Sequence, residues 1–135
     1  ERIDEEFKRR VRIGIGNFQA LMRHPEYLLR TSMATRFAYL SHKVLRWIAP
    51  HLLIVAFVAS AVLAIDSAGW RWATLAQALS YGGAAALLWA TNRGMRLPRL
   101  LKLVAFLFAL NWAFLVASWR YARGSYGGSW QRSSR

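Results

Sequence analysis

The stretch IAPHLLIVAFVASAVLAI, residues 48–65, contains no charged side chain and decides the fold class of this chain. Two further stretches, 72–92 and 103–119, also lack charged residues. A helix needs about 20 apolar residues to cross the roughly 30 Å hydrocarbon core of a bilayer. The pattern therefore predicts an all-α integral membrane protein, against the alternative of a soluble helix bundle with unusually apolar helices.

The remaining segments are strongly basic. Nineteen Lys and Arg stand against six Asp and Glu, which gives a net charge of +13, while 56% of the 135 residues are hydrophobic. The chain has no cysteine, which excludes a disulfide framework and thiolate metal sites. It opens on Glu1 and not on Met, and its first residues do not resemble a signal peptide, so we expect a processed chain or a fragment of a longer one.

Residues 1–46 are predicted to form amphipathic helices on the cytoplasmic face of the membrane. Around KRRVRIGIGNFQAL, residues 8–21, the basic side chains lie off an apolar face whose members recur at helical spacing: Phe7, Val11, Ile15, Phe18, Leu21 and Met22. A helix of this kind lies in the headgroup layer of an anionic membrane. Gly14 and Gly16 are expected to weaken the helix or to allow a close backbone contact, and Pro25 separates it from a second amphipathic run.

Residues 47–92 are predicted to form a transmembrane helical hairpin. Its connection, DSAGWRW, carries one acid and one base, whereas both outer flanks are rich in Lys and Arg. The positive-inside rule therefore places the N-terminal region and a basic loop, 93–102, in the cytoplasm and the hairpin tip outside. Four tryptophans at the segment boundaries are predicted membrane anchors: Trp47, Trp70, Trp72 and Trp119.

The third apolar segment, 103–119, is predicted to be membrane-embedded, either spanning or shallow and re-entrant. Seventeen helical residues reach only about 26 Å, and Asn111 would place an amide near mid-bilayer. The shallow arrangement is favoured because it keeps both basic flanks, including the flexible basic tail 120–135, in the cytoplasm. Hydropathy alone favours a span.

Several chemistries are excluded or disfavoured. GIGNFQ is not a dinucleotide fingerprint, because Gln19 occupies the place of the third glycine and no strand precedes it. His24, His42 and His51 lack the spacing that places two metal ligands on one helix face, and no carboxylates pair for acid–base work. Attraction to anionic lipid already explains the basic residues, so no nucleic-acid partner is predicted. The chain is therefore predicted to contain no catalytic residue and no metal site.

Two stretches, EEFKRRVRIGIGNFQAL (5–21) and FAYLSHKVLRWIAP (37–50), resemble the C-terminal part of membrane-bound family-2 glycosyltransferases, the synthases of cellulose, hyaluronan, chitin and poly-N-acetylglucosamine. In that family an interfacial helix carries Gln/Arg-x-x-Arg-Trp, followed by a Gly and a Gln, beside the acceptor sugar and the nucleotide diphosphate. The resemblance places Arg9 and Arg12 on the motif and Gln19 on its acceptor side. Ile13 stands where most members have Trp, so the aromatic ring on which the acceptor would stack is absent at this position.

The end of the chain, SWQRSSR, is similar to the family's gating loop, with Trp130 and Arg135 as diphosphate-facing candidates. The donor-binding domain, which holds the nucleotide sugar and a divalent metal, does not occur in these residues. The resemblance therefore implies the acceptor-side membrane portion of a polysaccharide-forming enzyme of the bacterial inner membrane, inactive alone and without a cofactor of its own. The alternative is a non-catalytic subunit, derived from such an enzyme, that packs against other membrane proteins.

Overall fold

The computed structural model describes residues 3–125, and within this range the chain is all-helical, as predicted. The first helix ends just ahead of Pro25, where the sequence predicts a break. The α-helices are α1 Ile3–Arg23, α2 Glu26–Leu29, α3 Met33–Tyr39, α4 Leu45–Leu63, α5 Ala68–Asn92 and α6 Arg99–Ala122.

Side chains close the connection between α1 and α3. The backbone N–H of Thr35 donates to the Ser32 hydroxyl at 3.2 Å, which caps the start of α3. Arg36 donates to the backbone carbonyls of Leu28 and Leu29, both at 2.9 Å, and so satisfies acceptors at the end of α2. Arg36 therefore has a structural role in this connection.

A π-helical turn, Leu40–Val44, joins α3 directly to α4. The backbone N–H of Leu45 donates to the carbonyl of Leu40, five residues earlier. Pro50 is buried inside α4. The second amphipathic run and the first apolar stretch therefore form one continuous helix, Met33–Leu63, without a break at the predicted boundary between residues 46 and 47.

Helices α4 and α5 form an antiparallel hairpin held by polar and aromatic contacts. Buried Ser60 places its hydroxyl 3.1 Å from the hydroxyl of Thr74 and 3.4 Å from the side-chain oxygen of Gln77. The rings of Phe57 and Tyr81 meet edge to face at 5.9 Å. These pairs fix the register, so the start of α4 lies beside the end of α5, and we call this end of the hairpin the base.

The tip of the hairpin is closed by Arg71. Its guanidinium donates to the carbonyls of Ala64 and Ile65 at 2.9 and 3.0 Å. These carbonyls belong to the end of α4, which has no helical partner for them. The single basic residue of the predicted outer connection thus caps α4.

Helix α6 contacts the base of the hairpin through its second half. The His51 imidazole Nε2 lies 2.9 Å from the hydroxyl of Ser118, and Trp47 packs in one cluster with Phe114. Trp112 lines a groove with the last turns of α5. The later turns of α6 therefore lie at the same end of the hairpin as the start of α4 and the end of α5.

Two helical stretches of the described chain, Met33–Leu63 and Arg99–Ala122, are long and apolar enough to cross a membrane. Helix α5, predicted as the second arm of the hairpin, is not one of them. It carries Gln77, Ser80, Gly82 and Gly83, and these residues dilute its apolar character. The membrane crossing of α5 stays a prediction.

The helix that contains the third predicted segment, 103–119, extends beyond it at both ends. Helix α6 has 24 residues and takes in Arg99 and Lys102, which belong to the predicted basic loop. A helix of this length reaches about 36 Å, so shortness no longer argues against a span. The Asn111 amide is also satisfied, because it donates to the carbonyl of Leu107 at 2.8 Å.

Candidate functional site

Helix α1 is held against α6 by its apolar face. Val11 and Ile15 are 2% and 9% exposed and pack against Ala113 and Ala117, which are fully buried. The alanines belong to a row of small buried residues on α6 that also includes Ala105 and Ala109. The predicted apolar face of α1 is thus a contact surface for protein, which fixes the direction of its basic face.

Gly14 marks the closest approach of the two helices. A Cβ atom added at Gly14 would lie 2.7 Å from the Cβ of Ala117 and 3.4 Å from the ring of Phe114. One turn further along both helices, the rings of Phe18 and Tyr121 stack with their centroids 6.1 Å apart. The two helices therefore run in the same direction, and the close contact predicted for Gly14 is confirmed.

The residues that the resemblance singles out share the opposite side of α1. Arg9, Arg12, Gly16 and Gln19 follow one another at spacings of three, four and three, which places them on one helical face. Arg9, Arg12 and Gly16 are exposed, and a Cβ added at Gly16 would meet nothing within 4 Å. We call these four residues the open stripe. A close-packing role for Gly16 is wrong.

The arginines of α1 differ in their exposure and in the distance to their ion-pair partner. Glu6 pairs with Arg10 at 2.6 Å and with Arg9 at 3.6 Å, and the Arg9 side chain is 63% exposed against 38% for Arg10. Exposed pairs of this kind contribute little to stability. Arg9 can therefore turn to an external anion at small cost, whereas Arg10 is held along the flank of the helix.

The predicted gating residues Trp130 and Arg135 lie outside the described residues. The three N-terminal members of the predicted acceptor- and diphosphate-facing set, Arg9, Arg12 and Gln19, lie on one helix, α1.

The four predicted anchor tryptophans lie in two kinds of surroundings. Trp47 is 4% exposed and sits in a cluster with Val44, Phe114 and the ring of Phe18. Its side chain is therefore covered by protein and does not face outward. Trp72 and Trp119 are 71% and 58% exposed, and Trp70 is exposed at the start of α5, so these three stay candidates for the anchor role.

The titratable side chains of the described chain form no group that could hold a metal ion. His51 is engaged with Ser118, and His24 lies 3.0 Å from the carboxylate of Glu26. A hydrogen bond from its own backbone N–H lowers the pKa of Glu26 below its ordinary value, and the His24 contact acts in the same direction. Neither histidine contact provides a catalytic arrangement.

Two helices share a six-residue ending that was not predicted from the sequence. Helices α5 and α6 both end on Trp-x-x-x-Arg-Gly, at residues 89–94 and 119–124, and the two glycines have positive φ angles of 77° and 64°. In each case the guanidinium stacks on the tryptophan, at 5.0 Å in α5 and 4.1 Å in α6. Glycine in this conformation ends a helix, and the six-residue repeat was the available signal.

Comparison of the chain with protein-family models, with curated proteins and with solved structures found no match.

Proposed function

We propose that the chain resides in a membrane, with the α4–α5 hairpin crossing it and the base of the hairpin on the cytoplasmic side. Large apolar side chains are exposed along α4, α5 and α6, for example Val55, Leu79 and Leu103 at 64%, 67% and 52%. In water such a surface would be unfavourable, whereas lipid covers it at no cost. A bacterial inner membrane is the proposed location, because family-2 polysaccharide synthases of bacteria act there.

In this topology both ends of α6 lie on the cytoplasmic side. Its start follows the base after the short connection 93–98, and its last turns contact the base again through Ser118 and Phe114. Both ends are rich in arginine, so the positive-inside rule supports the same arrangement. Helix α6 is then a shallow, re-entrant element, and α1 lies beside it at the cytoplasmic surface.

Labelling of single cysteines tests this topology, since the chain has none of its own. We expect Met95→Cys and Ser125→Cys to react with a membrane-impermeant maleimide only in inverted vesicles, and Asp66→Cys only in intact cells. All three residues are exposed. Labelling after detergent solubilisation is the control for reactivity. If Ser125→Cys labels together with Asp66→Cys, α6 crosses the membrane and the shallow arrangement is wrong.

For activity, we propose the acceptor-side and transmembrane portion of a family-2 polysaccharide-forming glycosyltransferase, inactive alone. The observation that carries this proposal is the open stripe. Arg9 and Arg12 stand one turn apart on an exposed face of α1, and the contact of Gly14 with α6 sets the direction of that face. Two arginines so placed would stabilise the negative charge of a nucleotide diphosphate.

The chemistry itself would belong to a donor-binding domain elsewhere. That domain would supply the nucleotide sugar site and the divalent metal that neutralises the leaving diphosphate. Within the present chain Arg12 and Arg9 would orient the diphosphate by charge, and Gln19 would face the acceptor sugar. No proton transfer is assigned to any residue here.

A charge-matched pair of variants tests the proposal in the parent polypeptide. We expect Arg12→Ala to lower sugar transfer at least about tenfold, because a charged hydrogen bond to a phosphate contributes about 1.5–3 kcal/mol. Arg10→Ala removes the same charge from the flank of the same helix, where Arg10 already pairs with Glu6. We expect this control to leave transfer within about twofold of the unaltered protein.

A second candidate is the non-catalytic subunit. Helix α5, described over its whole length, contains no buried residue, and Cβ atoms added at Gly82 and Gly83 would meet nothing within 4 Å. A face of small residues lets another membrane helix approach closely. Transfer unaffected by Arg12→Ala, together with stoichiometric co-purification of a short chain with other membrane proteins, would favour this candidate over the enzyme.

A further inference from the structure

A groove between α5 and α6 lies outside the open stripe. It has a volume of about 300 Å³, at the lower end of the range for small-molecule sites, and an almost wholly apolar lining. Its wall is made by the last turns of α5 and the middle of α6: Ala85, Leu88, Trp89, Asn92, Phe108 and Trp112. The groove is open along one side. An elongated apolar group could therefore enter it laterally from a surrounding bilayer.

The rim of this groove is basic. The Arg93 guanidinium lies 5.0 Å from the centroid of the Trp89 ring, which forms part of the wall. Arg96, Arg99 and Lys102 follow within the next turns of the chain, all exposed. No Asp or Glu occurs after Asp66 anywhere in the sequence. Arg93, the basic residue placed at the rim, therefore has no carboxylate to neutralise it from its own part of the chain.

We propose that the groove binds one acyl chain of an anionic phospholipid, with the lipid phosphate at Arg93. The apolar lining and open side fit an acyl chain, and the guanidinium at the rim fits a phosphodiester. A zwitterionic lipid such as phosphatidylcholine would fill the groove equally well and carries the same phosphodiester, but its own ammonium group neutralises that charge, so Arg93 favours the anionic lipid. The proposal rests on the proposed membrane residence of the chain and is independent of the glycosyltransferase assignment.

A second stacked pair, Arg123 on Trp119 at the end of α6, allows a specific lipid site to be distinguished from a general attraction of arginines to anionic lipid. Arg123 stacks on Trp119 at 4.1 Å with the same spacing and the same helix ending. Trp119 is 58% exposed and does not line the groove, whereas Trp89 is 59% exposed and does. A general preference of stacked arginines for anionic lipid would act at both places. A groove site acts at Arg93 alone.

Quenching of tryptophan fluorescence by brominated lipids tests the proposal on the full chain. The chain is placed in phosphatidylcholine vesicles in which a tenth of the lipid is brominated phosphatidylglycerol or, in a parallel sample, brominated phosphatidylcholine. We expect the phosphatidylglycerol to quench at least about twofold more, because each basic residue near the surface favours anionic lipid several-fold. Arg93→Gln should remove most of this excess, and Trp112→Phe, which removes one of the two tryptophan reporters that line the groove, should lower it.

Arg123→Gln is the matched control and should leave the excess unchanged. If Arg123→Gln lowers the excess as much as Arg93→Gln does, the attraction is general and the groove proposal is wrong. Equal quenching by both lipids in the unaltered chain also overturns it. If neither lipid quenches, the chain is not inserted, and membrane residence itself fails. Helical circular dichroism of each variant establishes that it has folded.

Discussion

Trp47→Ala is expected to lower the free energy of unfolding by about 3–5 kcal/mol, the cost of removing a large aromatic side chain from a packed core. Trp47 is 4% exposed, packs beside Val44 and Phe114, and meets the rings of Phe18 and Tyr39 at 5.9 and 6.1 Å. It therefore joins α1, α3, α4 and α6 at one point. The measurement is a denaturant titration in detergent micelles, followed by helical circular dichroism.

The matched control is Trp72→Ala. Trp72 is 71% exposed and lies near the tip of the hairpin, so its removal in micelles should change stability by less than about 1 kcal/mol. If both tryptophans acted only as membrane anchors, each substitution would lower the free energy of unfolding in a bilayer and leave it unchanged in micelles. Equal and small losses for the two variants in micelles would show that Trp47 is not a core residue.

Gly14→Ala should destabilise the chain by about 1–2 kcal/mol. The added Cβ would lie 2.7 Å from the Cβ of Ala117, and neither atom can turn away because the backbone of its helix fixes its position. Overpacking of this kind typically costs about 1–3 kcal/mol, against a gain of up to about 1 kcal/mol in helix propensity. The same titration measures the loss.

Gly16→Ala provides the control, because Gly16 lies two residues away in the same helix with open space around it. It should stabilise the chain by about 0.5–1 kcal/mol through helix propensity alone. Both variants make the same Gly→Ala substitution, so stability changes of opposite sign would isolate the effect of the contact with α6. If Gly14→Ala also stabilises, α1 is not docked at this distance.

The amphipathic face of α1 could be predicted from the sequence, but its partner could not. Helical periodicity correctly selected Val11 and Ile15 as buried, because spacing reports which residues share a face. Whether lipid or protein covers that face depends on Ala113 and Ala117, which lie near the other end of the chain. Met22, assigned to the same face, is 63% exposed because α1 extends beyond that contact.

The burial of Trp47 could not be predicted from local composition for a similar reason. It stands between charged and apolar segments, which is where interfacial tryptophans occur. Phe18 and Phe114, which cover it, belong to helices far away in sequence. A change of composition along the sequence therefore does not show whether a residue lies at the surface of the folded chain.

Helix α6 is longer than the uncharged stretch 103–119 that predicts it. Arg99, Lys102 and Arg120 are all helical, since long basic side chains can extend their charge away from an apolar helix while their backbone continues it. The members of the open stripe could be placed on one face from spacing alone. The outward direction of this face depends on the contact of Gly14 with α6, which residue spacing does not show.

The contact of Gly14 with Ala117 also has a consequence for biosynthesis. A ribosome makes α1 before either arm of the hairpin, whereas Ala113 and Ala117, which receive α1, emerge only with the second half of α6. Until then the apolar side of α1 has to rest on the membrane surface or on a chaperone, because its native cover does not yet exist. Helix α1 is therefore completed only after both arms of the hairpin have been made.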